Sequence, residues 1–77
     1  MRAKNQKEIK GVYYNEINGN AYFVNKVKSD RVIVSTVLTN SIGNMIKVLN
    51  TSFSIPLDVF NEFKFSGNYT RNDINNL

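Results

Sequence analysis

The sequence contains no cysteine and no histidine, and it has one proline among its 77 residues. Without cysteine, neither disulfides nor thiolate metal sites can hold the fold together, so hydrophobic burial or self-association must do so. Without histidine, the usual general base near neutral pH and a common metal ligand are missing. We therefore expect a protein that is not an enzyme and that carries no cofactor and no metal.

Long apolar runs are also missing. The first ten residues are charged and polar with no apolar run behind them, which argues against a secretory signal, and no later stretch is long enough to span a bilayer. A chain without cysteine suits a reducing compartment. We expect a protein that does not contact membranes and that lies in the cytoplasm of the producing or host cell.

Positive charge is unevenly distributed along the chain. The net charge is +4, and the first ten residues contribute +3 of it, from four cations against Glu8. The rest of the chain therefore carries about +1 and is nearly neutral. We expect residues 1–8 to form a flexible basic N-terminal arm, residues 9–65 a single small domain, and residues 66–77 a loosely ordered polar tail.

The domain itself shows the pattern of short strands. Residues 9–16 form the first strand, and Asn18-Gly19 predicts a hairpin with a type I′ turn. Residues 21–28 do not alternate cleanly, which predicts a β-bulge near Asn25. After a tight turn at Ser29-Asp30, β-branched residues on both faces of 31–39 predict a central strand.

The second half of the domain is predicted to contain a fourth strand and one helical turn. Residues 45–50 form that strand, which Phe53 and Ile55 extend, and Pro56 should end it and open a helical turn. Leu57 and two phenylalanines then recur every three residues, so that one face of the turn can close an open end of the sheet. Four phenylalanines are assigned to the core: Phe53, Phe60, Phe63 and Phe65.

Apolar and turn residues along 9–65 follow an order that resembles a known family. The residues concerned are Gly11-Val12-Tyr13-Tyr14, Asn18-Gly19-Asn20, Tyr22, Val24, Val27, Arg31-Val32-Ile33-Val34, Leu57, Phe60 and Phe63. They resemble small Src-homology-3-like barrels, above all short barrel proteins of bacteriophages and mobile elements. The resemblance implies a mainly all-β fold, a four- to five-stranded antiparallel barrel with one short helical turn before the last strand. It also implies binding to RNA, DNA or peptides, but no binding-site residue of that family can be assigned to a position in this sequence.

Scattered carboxylates offer little for catalysis. Asp58 and Glu62 stand at a helical i, i+4 spacing, and such a pair can do acid–base work or hold Mg²⁺. The same spacing is typical of a solvated helix face, with Asp58 near the favourable N-terminus, and this is the interpretation we adopt. The four glycines are isolated and form no phosphate-binding loop.

Basic residues form the first candidate site, because several cations flank the Ser29-Asp30 turn and can contact phosphates. The candidate nucleic-acid-binding residues are Arg2, Lys4, Lys7, Lys10, Lys26, Lys28, Arg31 and Lys47. Lysines on exposed strand edges also protect sheets from edge-to-edge aggregation, so the cluster has an equally good structural explanation.

Tyrosines form the second candidate site. Tyr13 and Tyr14 are neighbours on a strand, so they point to opposite faces and one of them should be exposed, unless the arm or the tail covers it. Tyr13 and Tyr22 are also candidates for stacking on an unpaired base. These three tyrosines make up the expected interface.

Two functions follow from these patterns. The leading hypothesis is binding of RNA or single strands by the basic hairpin and the arm, because no recognition helix for duplex DNA is predicted. The alternative is a phage-type accessory protein that binds a host protein and inhibits or redirects it. A homodimer is compatible with either, since so short a chain leaves a thin core and open strand edges.

Overall fold

The computed structural model describes residues 9–42 and 44–75, which form a curled antiparallel sheet and two short helices. The strands are β1 Val12–Tyr14, β2 Ala21–Val27, β3 Arg31–Thr39, β4 Met45–Val48, β5 Phe53–Pro56 and β6 Lys64–Gly67; the helices are α1 Leu57–Phe60 and α2 Arg71–Asn75. The expected mainly β class is confirmed.

β3 organises the sheet, whose order is β4-β3-β2-β1-β6, with β5 pairing to β3 beside that path. The first half of β3 pairs with β5 and its last residues pair with β4, so the sheet curls into a half-barrel. We predicted four or five strands, with Phe53 and Ile55 extending the fourth. The described residues contain six strands, because β5 is separate from β4 and pairs with a different half of β3.

The hairpin between β1 and β2 is confirmed, but its predicted turn type is wrong. A type I′ turn needs positive φ at two successive residues, and in this loop only Gly19 has it, at 76°. The loop is wider: Gly19 N donates to Asn15 O at 2.7 Å, and Asn15 N donates to Asn20 O at 2.9 Å. Side-chain oxygens of Asn15 and Asn18 also accept from amides two residues on, which stabilises this wider turn.

Three other local predictions are confirmed. The pairing of β2 with β3 shifts register between Val24 and Lys26, which is the bulge expected near Asn25. Lys28 N donates to the carbonyl of Arg31 at 2.8 Å and closes the tight turn between these strands. β5 ends at Pro56, which is also the N-cap of α1.

The first core fills the inner face of the sheet under α1. It contains Ile9, Tyr13, Tyr22, Val24, Val32, Val34, Ile55, Phe60 and Phe63, with Leu57 and Val27 packed against it. Leu57, Phe60 and Phe63, which were predicted to close an open end of the sheet, all pack in or against this core. Four aromatic rings of this core form a row in the order Tyr22, Phe63, Phe60 and Tyr13. Phe53 extends the row beyond Tyr22 and Phe65 extends it beyond Tyr13, and neighbouring centroids along it lie between 4.7 and 5.7 Å apart.

The two rings at the ends of this row are exposed, so the predicted core was too large. Phe53 and Phe65 are 46% and 57% exposed, so assigning them to the core was wrong. They lie on β5 and β6, each of which pairs along one side only in the ladders described. A ring on such an edge strand has a neighbour on its inner side and solvent on the other.

A second core lies on the outer face of the sheet and depends on the C-terminal residues. Val12, Ala21, Val37 and Val48 pack there around Ile74 of α2, which is fully buried. We expected a loosely ordered tail from Ser66 onward, but β6 continues to Gly67 and α2 packs against β4. The expectation failed because the apolar partners of this polar segment come from distant strands.

A capping box opens α2. Thr70 N donates to Asp73 Oδ2 at 2.9 Å, and Asp73 N donates to Thr70 Oγ1 at 3.1 Å. The Thr70 amide and the Thr70 side chain both hydrogen-bond to the Asp73 carboxylate. These bonds lower the pKa of Asp73, because they favour the charged form. The reciprocal bonds define where the helix begins.

Gly11 allows β1 to approach β6, and its replacement should be costly. Its φ is +89°, and a Cβ there would lie 2.4 Å from the carbonyl oxygen of Gly67. Gly19 also has positive φ, but nothing lies within 4 Å of the Cβ that a side chain would add there.

Gly19→Ala should lower the free energy of unfolding by about 1 kcal/mol. Gly11→Ala should cost about 1 to 2 kcal/mol more, because backbone must also move. Urea unfolding of both variants measures this difference, and equal losses would contradict the close approach.

Candidate nucleic-acid interface

Strand alternation places three of the predicted cations on the outer face of the sheet. Val24 and Val27 of β2 both pack toward the first core, and the bulge between them leaves Lys26 pointing outward. Lys28 follows Val27 and is outward by the same alternation, and it is exposed. Arg31 precedes the inward Val32 and therefore also points outward.

Arg31 is held by two contacts at the end of this hairpin. Its Nη1 donates to Ser54 Oγ of β5 at 3.1 Å, and its Nε lies 3.6 Å from Asp30 Oδ1. The Arg31 side chain is 46% exposed and that of Asp30 is 77% exposed, so water screens this ion pair strongly. The guanidinium is thus oriented by Ser54 while it stays accessible from outside.

Lys10 joins these residues through the register of β1 and β2. Val12 lies opposite Phe23, and Val24 N donates to Gly11 O at 3.0 Å. One further step of the same antiparallel pairing puts Lys10 beside Asn25, next to Lys26. Lys10 is exposed, so its charge adds to the same face.

Arg71 of α2 borders this group and was missed by the sequence analysis. Its Nη2 donates to Asn25 Oδ1 at 2.7 Å, its Nη1 donates to Leu49 O at 3.3 Å, and the guanidinium lies 5.2 Å from the ring centroid of Phe23. Asn25 Nδ2 in turn donates to Ser35 Oγ at 2.7 Å. These contacts fix the guanidinium plane over an outward ring.

A signal for Arg71 was present in the sequence. The spacing Thr70-x-x-Asp73 is that of a capping box, which predicts a helix start and puts Arg71 in its first turn. We call the five outward cations Lys10, Lys26, Lys28, Arg31 and Arg71 the basic face.

Four of the predicted cations are not part of the basic face as described. Lys47 lies opposite Leu38, whereas Lys26 lies opposite Ile33. These two positions on β3 are five residues apart, about 17 Å along an extended strand, so Lys47 belongs to the other end of the sheet. The other three, Arg2, Lys4 and Lys7, lie outside the described residues.

Of the three candidate tyrosines, one is accessible and two are buried. Tyr13 is 5% exposed and Tyr14 is 37% exposed, which confirms that these neighbours face opposite sides and that one is accessible. Tyr22 is only 9% exposed and stacks on Phe63 at 5.5 Å. Tyr13 and Tyr22 therefore belong to the first core and cannot stack on a base, which corrects the expected interface. Tyr14 alone of the three is accessible, on the outer face of β1.

The two carboxylates at helical spacing lie at the surface, in α1 and just after it. Asp58 and Glu62 are exposed, and Asp58 Oδ1 accepts a hydrogen bond from the Val59 amide at 3.0 Å. Within residues 9–42 and 44–75, no three side chains among His, Cys, Asp and Glu lie close enough to hold a metal ion. In the same part of the chain, neither helix has the length and apolarity needed to cross a membrane.

No protein-family model, curated protein or solved structure matches this chain. The basic face is therefore interpreted from its own geometry and charge.

Proposed function

We propose that this chain is a non-catalytic module that binds single-stranded nucleic acid, RNA above all, on the basic face. The observation that supports this is the placement of five cations on one side of the sheet, although they come from three separate parts of the chain. Lys and Arg at such spacing contact phosphates and set the position of a strand without reading its sequence.

Single strands fit this surface better than duplex DNA. The helices of the described residues have four and five residues, which is too short for the recognition helix that duplex readers place in the major groove. Unpaired bases can instead stack on an exposed guanidinium plane or an aromatic ring. On this face, the half-buried Arg71 guanidinium lies above Phe23 with its other side available to a base, and Tyr14 supplies an accessible ring.

The proposal keeps the fold expected from the resemblance. The curled antiparallel sheet and the helical turn directly before β6 support a Src-homology-3-like barrel, which the resemblance implies is used for binding. The arm with Arg2, Lys4 and Lys7 precedes Lys10 in the chain and would add phosphate contacts beside the basic face.

The test is the salt dependence of affinity for a labelled single-stranded oligouridine, measured by fluorescence anisotropy. Each phosphate contact on a single strand contributes a slope of about −0.7 to log K against log salt. The double variant Lys26→Gln/Arg31→Gln removes two contacts, so its slope should be shallower by about 1.4. Its affinity at low salt should fall at least about tenfold.

The matched control is Lys47→Glu, which lowers the net charge by the same two units at one exposed position outside the basic face. This variant should bind oligouridine nearly as tightly as the unaltered chain, and competing duplex DNA should displace the RNA poorly. Equal losses in this control and in the Lys26→Gln/Arg31→Gln variant would show that binding follows net charge, and the basic face would not be the site.

The alternative is binding to a host protein, as an accessory protein that inhibits or redirects it. Tyr14 and Phe65 favour it, because accessible aromatic side chains are common at protein interfaces. Oligouridine would then fail to bind at any salt concentration. Nuclease-treated bacterial lysate passed over the immobilised chain would in that case yield one stoichiometric protein partner.

A further inference from the structure

A groove outside the basic face combines an apolar floor with an acidic rim. It runs between the β1–β2 loop and α1 and encloses about 470 Å³. We call its apolar lining residues, Ile17, Val59 and Phe63, the floor, and its acidic lining residues, Glu16, Asp58 and Glu62, the rim. The lining contains none of the five cations of the basic face.

The apolar floor is open to solvent. Ile17 is 95% exposed and Val59 is 48% exposed, while Phe63 beneath them is part of the first core. Single exposed apolar residues are ordinary, but here two of them line the same groove as a ring of the first core. Such a surface gains free energy when an apolar side chain covers it.

The acidic rim decides which side chains can accompany that apolar group. In the described part of the chain, Glu16 of the rim forms an ion pair with Lys64, whose Nζ lies 3.9 Å from Glu16 Oε1. Both side chains are more than half exposed, so this pair is weak and easily exchanged. The rim therefore keeps an excess of negative charge that favours cationic partners and repels acidic ones.

We propose that this groove binds a short cationic segment of a partner protein. An apolar side chain of that segment lies between Ile17 and Val59, and lysines or arginines on either side of it pair with the rim carboxylates. This site is independent of nucleic-acid binding, because the basic face lies on the outer side of the sheet and stays free. The chain would then hold a basic protein segment and a nucleic acid at the same time.

Three labelled peptides test the proposal by fluorescence anisotropy: one alternating lysine and leucine, one alternating lysine and serine, and one alternating glutamate and leucine. The lysine–leucine peptide should bind at least about tenfold more tightly than either of the others, since it alone supplies both charge and an apolar side chain. Equal binding of the lysine–serine peptide would overturn the proposal, because charge would then suffice.

Variants locate the binding in the groove. Ile17→Ser should weaken the lysine–leucine peptide about tenfold, a loss of about 1.4 kcal/mol. Ile42→Ser, which changes an isoleucine 78% exposed outside the groove, should leave it unchanged. Equal effects of these two substitutions would contradict the site.

Charge reversal gives the sharpest outcome. Glu16→Lys/Glu62→Lys should lose the lysine–leucine peptide and gain the glutamate–leucine peptide, provided circular dichroism shows an unchanged fold. A variant that still prefers the lysine–leucine peptide would overturn the proposal. So would a salt-sensitive dimer of the unaltered chain that this variant abolishes, because the occupant would then be a second copy of the chain.

Discussion

Phe60→Ala should destabilise the protein by about 4 kcal/mol, the largest effect expected of any single substitution considered for this chain. Phe60 is fully buried, and its ring lies 4.7 Å from Tyr13 and 5.4 Å from Phe63, in the middle of the aromatic row. Its removal leaves a cavity under α1 and takes away the helix's buried anchor. A chain of this length has a total stability of roughly 4 to 11 kcal/mol, so much of it would be lost.

Urea unfolding followed by circular dichroism measures this loss, and Phe65→Ala is its matched control. Phe65 touches Tyr13 at 5.2 Å but is 57% exposed, so its truncation should cost about 1 kcal/mol or less. If Phe60→Ala does not fold, Phe60→Leu keeps most of the volume and should cost about 1.5 kcal/mol. Equal stability of the Phe60→Ala and Phe65→Ala variants would contradict the core described for this protein.

Ile74→Ala should destabilise the protein by about 3 kcal/mol, although Ile74 stands in a polar, Asn-rich segment. Its side chain is fully buried against Val12, Val37 and Val48. A helix of five residues has no stability of its own in water, so α2 depends on this contact to stay on the sheet.

Hydrogen exchange locates this effect, because Val48 N donates to Asn75 Oδ1 at 2.9 Å and should exchange faster once α2 is released. The control is Ile17→Ala, the same change at an isoleucine that is 95% exposed, which should alter stability by less than about 0.5 kcal/mol. If the two isoleucine variants unfold alike, the C-terminal residues are dispensable, as a loose tail would be.

The second core also links stability to the proposed function. Arg71 and Ile74 lie on the same short helix, so release of α2 would carry the Arg71 guanidinium away from Phe23 and Asn25. Ile74→Ala should therefore weaken oligouridine binding even though it changes no charge. The basic face is in this sense assembled by packing on the outer side of the sheet.

Local features of the fold could be predicted because each depends on a few adjacent residues. Pro56 cannot donate a ladder hydrogen bond, so it ends β5 and opens α1 wherever the strand lies. The apolar residues around Asn25 do not alternate, which predicted the bulge found there. Tyr13 and Tyr14 are neighbours on a strand, which predicted that one ring is buried and the other accessible. The hairpin at Gly19 was predictable for the same reason, although the width of its loop was not.

Features that depend on distant neighbours could not be predicted in this way. Phe53 and Phe65 have the same apolar character as Phe60, and only their positions on edge strands leave them exposed. Ile74 stands alone in a polar segment, and only the outer faces of β1, β2, β3 and β4 provide it with a core. The separation of β4 from β5 likewise depends on which half of β3 each one meets.

The candidate site divides along the same line. The amino-acid sequence was enough to predict a small, mainly β chain with cations beside a tight turn and without histidine or cysteine. Which charges share a face depends on the folded chain, in which Lys10 and Arg71 join the hairpin and Lys47 lies at the other end of the sheet. The physical reason is that alternation along a strand sets the side to which a residue points, whereas its neighbours on that side come from strands and helices remote in sequence.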